Sequence, residues 1–133
     1  MSTHIPESEI SLENAELVAE IKKSSLSDFA KLVYLAIIRI PVGHVSTYKL
    51  IAEAIDHPHS ARAVGNALRL NPYAPKVPCH RVVSSNGKVG GFFGDSGDSE
   101  GVRRKIALLE SENIRFNGMR IMDWGKVRMI SLK

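Results

Sequence analysis

Apolar residues recur at helical spacing in four stretches of the chain, and each stretch is bounded by residues that start or stop helices. The four predicted helices span about residues 27–40, 47–55, 61–70 and 102–112. Ser46 and Ser60 are expected to cap the second and third helices, because a serine side chain accepts hydrogen bonds from free backbone N–H groups. Two short capped helices after a longer one indicate a helix-turn-helix arrangement.

Strand signals are shorter and lie mainly in the second half of the chain. Asn86-Gly87 and Asn117-Gly118 are typical of tight β-hairpins, and residues 124–130 have a strand-like pattern. Residues 90–101 are rich in glycine and acids, which is typical of a functional or disordered loop. The predicted fold class is therefore α+β: a small winged-helix-like, helix-turn-helix domain with short β-hairpins. This pattern alone leaves DNA binding open, because any three-helix protein shows it.

The N-terminal part differs from the rest in its mixed polar character. Residues 1–26 are expected to form an extension that is a short helix or partly disordered, with Ser11 as the helix cap and residues 22–25 as a linker. Residues 27–133 are expected to form the single domain, since 133 residues with 44% apolar and 24% charged content suit one globular unit.

Composition limits the compartment and the partners. No apolar run reaches about 18 residues, and the first residues lack the basic start and apolar centre of a signal peptide, so we expect a cytoplasmic protein, or a nuclear one in a eukaryote. The net charge of +4 and the pI of about 9.4 are compatible with nucleic-acid binding, although many enzymes are equally basic.

The one cysteine of the chain lies in the segment Pro78-Cys79-His80-Arg81-Val82. A thiolate is a strong nucleophile, and a histidine neighbour favours its formation. The alternative is a small buried apolar residue without chemistry. A metal site is not expected, because His44, His57 and His59 lack companion cysteines.

The third predicted helix has a distinctive outward face. Arg62 and Asn66 share that face, with Arg69 nearby. This face either meets a binding partner, or Arg62 and Arg69 are ordinary solvated charges. Gly65 costs the helix about 1 kcal/mol against alanine, which indicates close approach of something large. Three basic residues at the start of the last helix, 103–105, indicate either a phosphate-facing surface or a feature without function.

Taken together, these motifs resemble the O6-alkylguanine-DNA alkyltransferase family, also called methylated-DNA–protein-cysteine methyltransferases. The resemblance covers about residues 29–112, and the Pro-Cys-His-Arg-Val segment is its most specific part. The other matching segments are residues 42–48, 61–68, 71–72, 87–92 and 107–112.

The resemblance implies four catalytic residues. Cys79 would accept the alkyl group, His80 would deprotonate it through a water molecule, and Glu112 would orient His80. Asn71 would hold the turn around the cysteine or cap the helix before it. Without the cysteine motif, Glu112 is equally typical of a solvated carboxylate at a helix end.

The resemblance also implies that the target guanine is extruded from duplex DNA into a pocket. Arg62 would fill the gap in the base stack, and Tyr48 would press on the target nucleotide. The remaining expected DNA-binding residues are Ala63, Gly65, Asn66, Arg69 and Arg81, and the expected pocket residues are Val82, Phe92 and Phe93.

The implied reaction transfers the alkyl group irreversibly from O6-alkylguanine to the cysteine of the protein, once per molecule. It needs no cofactor, and the implied partner is double-stranded DNA that contains O6-alkylguanine. A monomer without membrane association is expected. Two alternatives are a damage-recognition protein that does not transfer the alkyl group, as alkyltransferase-like proteins do not, and a helix-turn-helix transcription regulator.

Three features depart from the family pattern. Few residues precede the motifs, so a single-domain form is expected, and the segment after Asn71-Pro72 lacks a proline that often lines the pocket. Phe92-Phe93 stands where relatives often have tyrosine and serine. The hydroxyl that would polarise the departing guanine oxygen is therefore expected from elsewhere, with Ser96 and Ser99 as candidates.

Overall fold

The computed structural model describes residues 12–90 and 99–129. Ten helices and strands lie in these ranges, and a 3-10 turn, Cys79–Arg81, lies between α4 and β2. In chain order they are α1 Leu12–Lys23, α2 Asp28–Ile37, β1 Ser46–Thr47, α3 Tyr48–Ala54, α4 Ala61–Arg69, β2 Val82–Val83, α5 Glu100–Ser111, β3 Phe116–Asn117, β4 Arg120–Ile121 and α6 Trp124–Val127.

The helix-turn-helix arrangement is present, with α3 and α4 packed on each other and both packed on α2. Ser27 caps α2, since its side chain accepts a hydrogen bond from the Ala30 N–H. The predicted cap of α3 is wrong by one residue. Thr47, not Ser46, accepts the hydrogen bond from the Leu50 N–H, and Ser60 precedes α4 without a side-chain cap bond.

Ser46 and Thr47 also form a short parallel ladder with the segment that follows the cysteine. Ser46 pairs with Val82 and Thr47 with Val83. All four residues are buried. This ladder fixes the start of α3 beside the Cys79 turn, which brings the helix-turn-helix unit and the reactive segment into one site.

Of the two predicted Asn-Gly hairpins, only the second joins two paired strands. Asn117-Gly118 lies at the turn between β3 and β4, which pair in antiparallel register. Asn86-Gly87 also forms a tight turn, in which the Gly87 N–H donates to the Ser84 carbonyl. Beyond that turn the chain docks on the second hairpin, because the Val89 N–H donates to the Met119 carbonyl at 2.8 Å.

The predicted strand over residues 124–130 is wrong for its first half, which is helix α6. Arg128 then forms a single parallel bridge with Val45, and the Met129 N–H donates to the Val45 carbonyl. The C-terminal segment therefore closes against the strand that leads into α3.

Among the described residues, buried side chains form two core clusters. The larger lies between α1 to α4 and the Cys79 turn, and it includes Leu17 and Ile21 from α1. The smaller joins α5 to the C-terminal hairpin through Leu109 and Ile121. Lys22, predicted to begin a linker, lies within α1. No helix in the described ranges combines the length and apolar character needed to cross a membrane.

Candidate active site

Cys79 lies at the start of the 3-10 turn and is only 4% exposed. Asn71 braces the preceding loop from inside: its Nδ2 donates to the Val77 carbonyl at 2.9 Å, and its Oδ1 accepts from the Tyr73 N–H at 2.8 Å. Asn71 is itself buried. These two bonds use both ends of one amide group, so they fix the path of the chain into the cysteine.

His80, Arg81 and Glu112 form one connected group, in which His80 is buried and the side chains of Arg81 and Glu112 are 15% and 14% exposed. Glu112 Oε2 lies 3.0 Å from His80 Nε2, and both carboxylate oxygens accept hydrogen bonds at 2.9 Å from the Arg81 guanidinium. The third donor of that guanidinium, Nη1, reaches the Ile40 carbonyl at 2.8 Å. The resemblance implied that Arg81 contacts DNA, whereas in the structure its guanidinium points inward and holds Glu112.

The proton positions in this group follow from its charges. Burial alone would raise the pKa of Glu112, but hydrogen bonds from Arg81 and His80 outweigh it and lower the pKa. Burial lowers the pKa of His80 despite its bond to Glu112, so the imidazole is neutral near neutral pH. Because a carboxylate only accepts, the His80 proton lies on Nε2.

That tautomer leaves His80 Nδ1 as a proton acceptor. Nδ1 is buried and has no hydrogen-bond partner among the described residues. Burial also raises the pKa of the Cys79 thiol, and hydrogen bonding from Asn71 and the Lys105 charge offset this only in part. The site therefore combines a protonated thiol with a neutral imidazole near neutral pH.

Lys105 is a functional candidate that the sequence pattern did not reveal. It was grouped with the basic residues at the start of α5, but it is 1% exposed. Its Nζ donates to the Val82 carbonyl at 2.7 Å and lies 3.5 Å from the Tyr48 hydroxyl. Burial lowers its pKa to about 7, and the nearby Cys79 opposes that shift. Its spacing from Glu112 could have indicated this role. Lys105 lies seven residues before Glu112, which is about two helical turns, so both residues lie on the same face of the helix.

Tyr48 lies beside Lys105, whose Nζ is 5.8 Å from the centroid of the tyrosine ring. Burial, with a smaller contribution from Cys79, raises the pKa of the Tyr48 hydroxyl to about 12, so the phenol stays protonated and can donate. Gly90 lies against it with φ +76°, and an added Cβ would come within 3.1 Å of both the Tyr48 hydroxyl and Ser84 Oγ. Only glycine suits both that conformation and that approach.

The outer face of α4 carries the predicted DNA contacts. Arg62, Ala63, Asn66 and Arg69 are all exposed on it. Gly65 is half-buried, and a Cβ there would lie 3.9 Å from the Tyr48 ring, an ordinary contact. The fold itself therefore has room for alanine at this position.

The remaining predicted residues divide into two groups. Val82 is buried in β2, and its carbonyl accepts from Lys105. Phe92, Phe93 and Ser96 lie outside the described residues. Ser99 caps α5 by accepting from the Val102 N–H. Within residues 12–90 and 99–129, no three His, Cys, Asp or Glu side chains are grouped as a metal site would require.

Comparison with known proteins identifies relatives of this arrangement. The family model "6-O-methylguanine DNA methyltransferase, DNA binding domain" matches residues 28–114. A methylated-DNA–protein-cysteine methyltransferase of Mycobacterium bovis is 45% identical over 89 residues, which are 67% of this chain and 50% of that protein. The chain thus spans about half the length of the curated relatives it matches.

Two solved structures are similar in fold. A crystal structure of Mycobacterium tuberculosis OGT in complex with DNA matches with a TM-score of 0.57 and 44% identity, covering 65% of this chain and 50% of that one. Schizosaccharomyces pombe Atl1, in complex with damaged DNA containing O6-carboxymethylguanine, matches with a TM-score of 0.68 and 30% identity. That match covers 79% of this chain and 97% of Atl1.

Proposed function

Because this chain belongs to the 6-O-methylguanine DNA methyltransferase family, we propose that it repairs DNA by moving an alkyl group from guanine O6 to Cys79. One observation carries this proposal. The sole cysteine is buried next to a neutral His80, whose free Nδ1 is fixed in place by the bond between Nε2 and Glu112. This is the nucleophile, base and orienting acid of a covalent mechanism.

The transfer is a displacement at the alkyl carbon. The thiol proton passes to His80 Nδ1, directly or by way of a water molecule, and the sulfur forms a bond to the alkyl carbon as the bond from that carbon to O6 breaks. Guanine leaves as an anion and takes up a proton from solvent, while His80 returns the thiol proton to solvent, so the net change exchanges the thiol hydrogen for the alkyl group. The product on Cys79 is a thioether, which water does not cleave, so each molecule acts once.

Lys105 and Tyr48 supply what the leaving group needs. Negative charge moves from the sulfur to the guanine during the step, and a buried cation stabilises that charge strongly in a site without bulk water. Lys105 lies beside Tyr48, whose hydroxyl is protonated and therefore carries a proton that it can donate. We assign Lys105 the electrostatic role and Tyr48 the contact with the target nucleotide.

The exposed face of α4 is the proposed DNA contact. The target base has to leave the stack before Cys79 can reach it, because the sulfur is buried beneath the protein surface. Arg62 has the length and planar head to fill the gap. Ala63 and Gly65 have small side chains, which allow the DNA to approach the helix closely. Asn66 and Arg69 are the proposed contacts with the DNA backbone.

A second candidate function is recognition of alkylated DNA without transfer. The observation that favours it is the similarity to Atl1, which extends over 97% of that chain with a TM-score of 0.68. Cys79 favours transfer, because a recognition protein has no need of a buried thiol beside an oriented base.

The test uses duplex DNA with a labelled methyl group on guanine O6. The wild-type protein is expected to become labelled, while Cys79→Ser binds the same duplex without acquiring label, since a hydroxyl is far less ionised than a thiol near neutral pH. Binding by both proteins with label on neither would favour the recognition function. Label on both would exclude Cys79 as the acceptor.

A further inference from the structure

A cleft of about 310 Å³ opens where the C-terminal segment meets the start of α3. Its walls include Lys49 and Glu53 from α3, Ser85 from the Asn-Gly turn, and Trp124 and Arg128 from the C-terminal segment. The last two lie beyond residues 28–114, the span of the family model. The mechanism proposed above does not use this cleft.

The charges on the cleft walls favour an anion. Lys49 and Arg128 are exposed, and neither forms an ion pair with any residue that the structure describes. Among the wall residues that the structure describes, Glu53 is the single acid beside two cations, so their formal net charge is positive. The Arg128 guanidinium stacks over the Trp124 ring, with 6.0 Å between the guanidinium carbon and the ring centroid, and this contact limits its motion.

The cleft adjoins the candidate active site. Lys49 directly follows Tyr48, and successive residues on a helix point about 100° apart, so one faces the reactive pocket while the other faces out. Thr47 also lines the cleft and pairs with Val83, next to the residue that accepts the Lys105 hydrogen bond.

We propose that this cleft binds one backbone phosphate of the lesion-bearing DNA strand, beside the extruded nucleotide. This deepens, and rests on, the proposed function. Lys49 supplies a point charge, Arg128 a planar pair of donors and Ser85 a hydroxyl, which are the groups that bind DNA phosphates. The C-terminal segment thereby extends the DNA interface past α4.

The first experiment measures affinity for a methylated duplex against salt. Neutralising one phosphate contributes about −0.9 to the log–log slope, so the double variant Lys49→Gln/Arg128→Gln should have a slope shallower by about that amount. Over an about fourfold rise in salt, wild-type affinity should therefore fall about 3.5-fold further than that of the variant. Lys126→Gln is the matched control, since Lys126 is exposed on α6 but does not line the cleft.

The second experiment locates the phosphate. Each phosphate of the lesion strand near the methylated guanine is replaced in turn by an uncharged methylphosphonate. At one position the replacement should weaken wild-type binding yet weaken Arg128→Gln no further. Additive losses at every position, or an equal slope change in Lys126→Gln, would overturn the proposal and would point to a general effect of charge or to another partner for the cleft.

Alkyl transfer from free O6-methylguanine base separates this proposal from the proposed function. The free base carries no phosphate, so the double variant should react with it at the wild-type rate. If the methylphosphonate and Arg128→Gln effects are additive at every position while alkyl transfer is intact, only the cleft proposal is excluded. Absence of transfer in the wild type, with one phosphate still coupled to Arg128, would remove only the proposed reaction.

Discussion

Glu112 Oε2 lies 3.0 Å from His80 Nε2, which joins the end of α5 to the Cys79 turn across 32 residues of sequence. The same carboxylate is held from its other side by Arg81. The orientation of the base therefore depends on an acid that is itself fixed. Positioning of this kind matters because a proton acceptor works only within hydrogen-bond reach of its donor.

Replacing that acid should damage both stability and reaction. Glu112→Gln leaves the largely buried Arg81 without a charged partner, which should cost about 3 kcal/mol of the free energy of unfolding. It should also slow alkyl transfer by about 10²-fold, because the His80 tautomer is no longer fixed. Denaturant melts and single-turnover rates check both effects. The control is Glu110→Gln, an exposed acid on the same helix; equal losses in the two variants would contradict the account.

Arg62→Ala should separate base extrusion from simple phosphate binding. Transfer from duplex DNA should slow greatly even at saturating protein, while transfer from the free base stays unchanged, because only the duplex has a gap to fill. Arg69→Ala, on the same exposed face, should weaken affinity but regain the wild-type rate at saturation. If both variants regain that rate, Arg62 does not fill the stack.

Gly65→Ala should make the protein more stable but weaken its binding to DNA. Its Cβ makes only an ordinary contact with the Tyr48 ring, so the free energy of unfolding should rise by about 1 kcal/mol from improved helix propensity. Duplex affinity should fall, because the added methyl group meets the approaching DNA. Gly125→Ala has open space around its Cβ and should leave affinity unchanged. Undiminished affinity in Gly65→Ala would place the DNA farther from α4.

Lys105 should make stability depend on pH in a defined direction. Its pKa is about 7 in the folded protein against 10.5 ordinarily, so the unfolded chain holds more protons between these values and the free energy of unfolding rises with pH. The rise should be about 2 kcal/mol between about pH 7 and about pH 9. Above about pH 9, the raised pKa of Cys79 opposes this rise, because the folded protein then keeps a thiol proton that the unfolded chain has lost.

Lys105→Met should lack this rise, and it should slow transfer by removing the cation beside the leaving group. Lys76→Met removes an exposed lysine and should keep the pH profile of the wild type. Denaturant titrations at several pH values measure the free energy of unfolding of the wild type and both variants. A rise of the same size in Lys105→Met would show that another group titrates.

The sequence predicted the helices well because their apolar periodicity and capping residues are local signals. It misplaced the cap of α3 by one residue, because serine and threonine both serve as N-caps and the local pattern does not reveal that Ser46 pairs with Val82. That pairing spans more than thirty residues, and local patterns do not encode it.

The same reason explains Arg81 and Lys105. A basic side chain near a proposed DNA surface is expected to face the phosphates. Tertiary packing instead gives Arg81 the Glu112 carboxylate and buries Lys105 against the Val82 carbonyl. The motif around Cys79 predicted a candidate site at that position, but not which cations lie inside the protein.

The central claim is that Cys79 takes one alkyl group directly and keeps it. The most direct test counts repaired guanines in excess methylated duplex while peptide mass spectrometry follows the protein. Repair should stop at one guanine per protein molecule, with the mass of one methylene group added to the peptide that contains Cys79. Repair that continues past one equivalent, or repaired DNA without added mass on that peptide, would contradict the account.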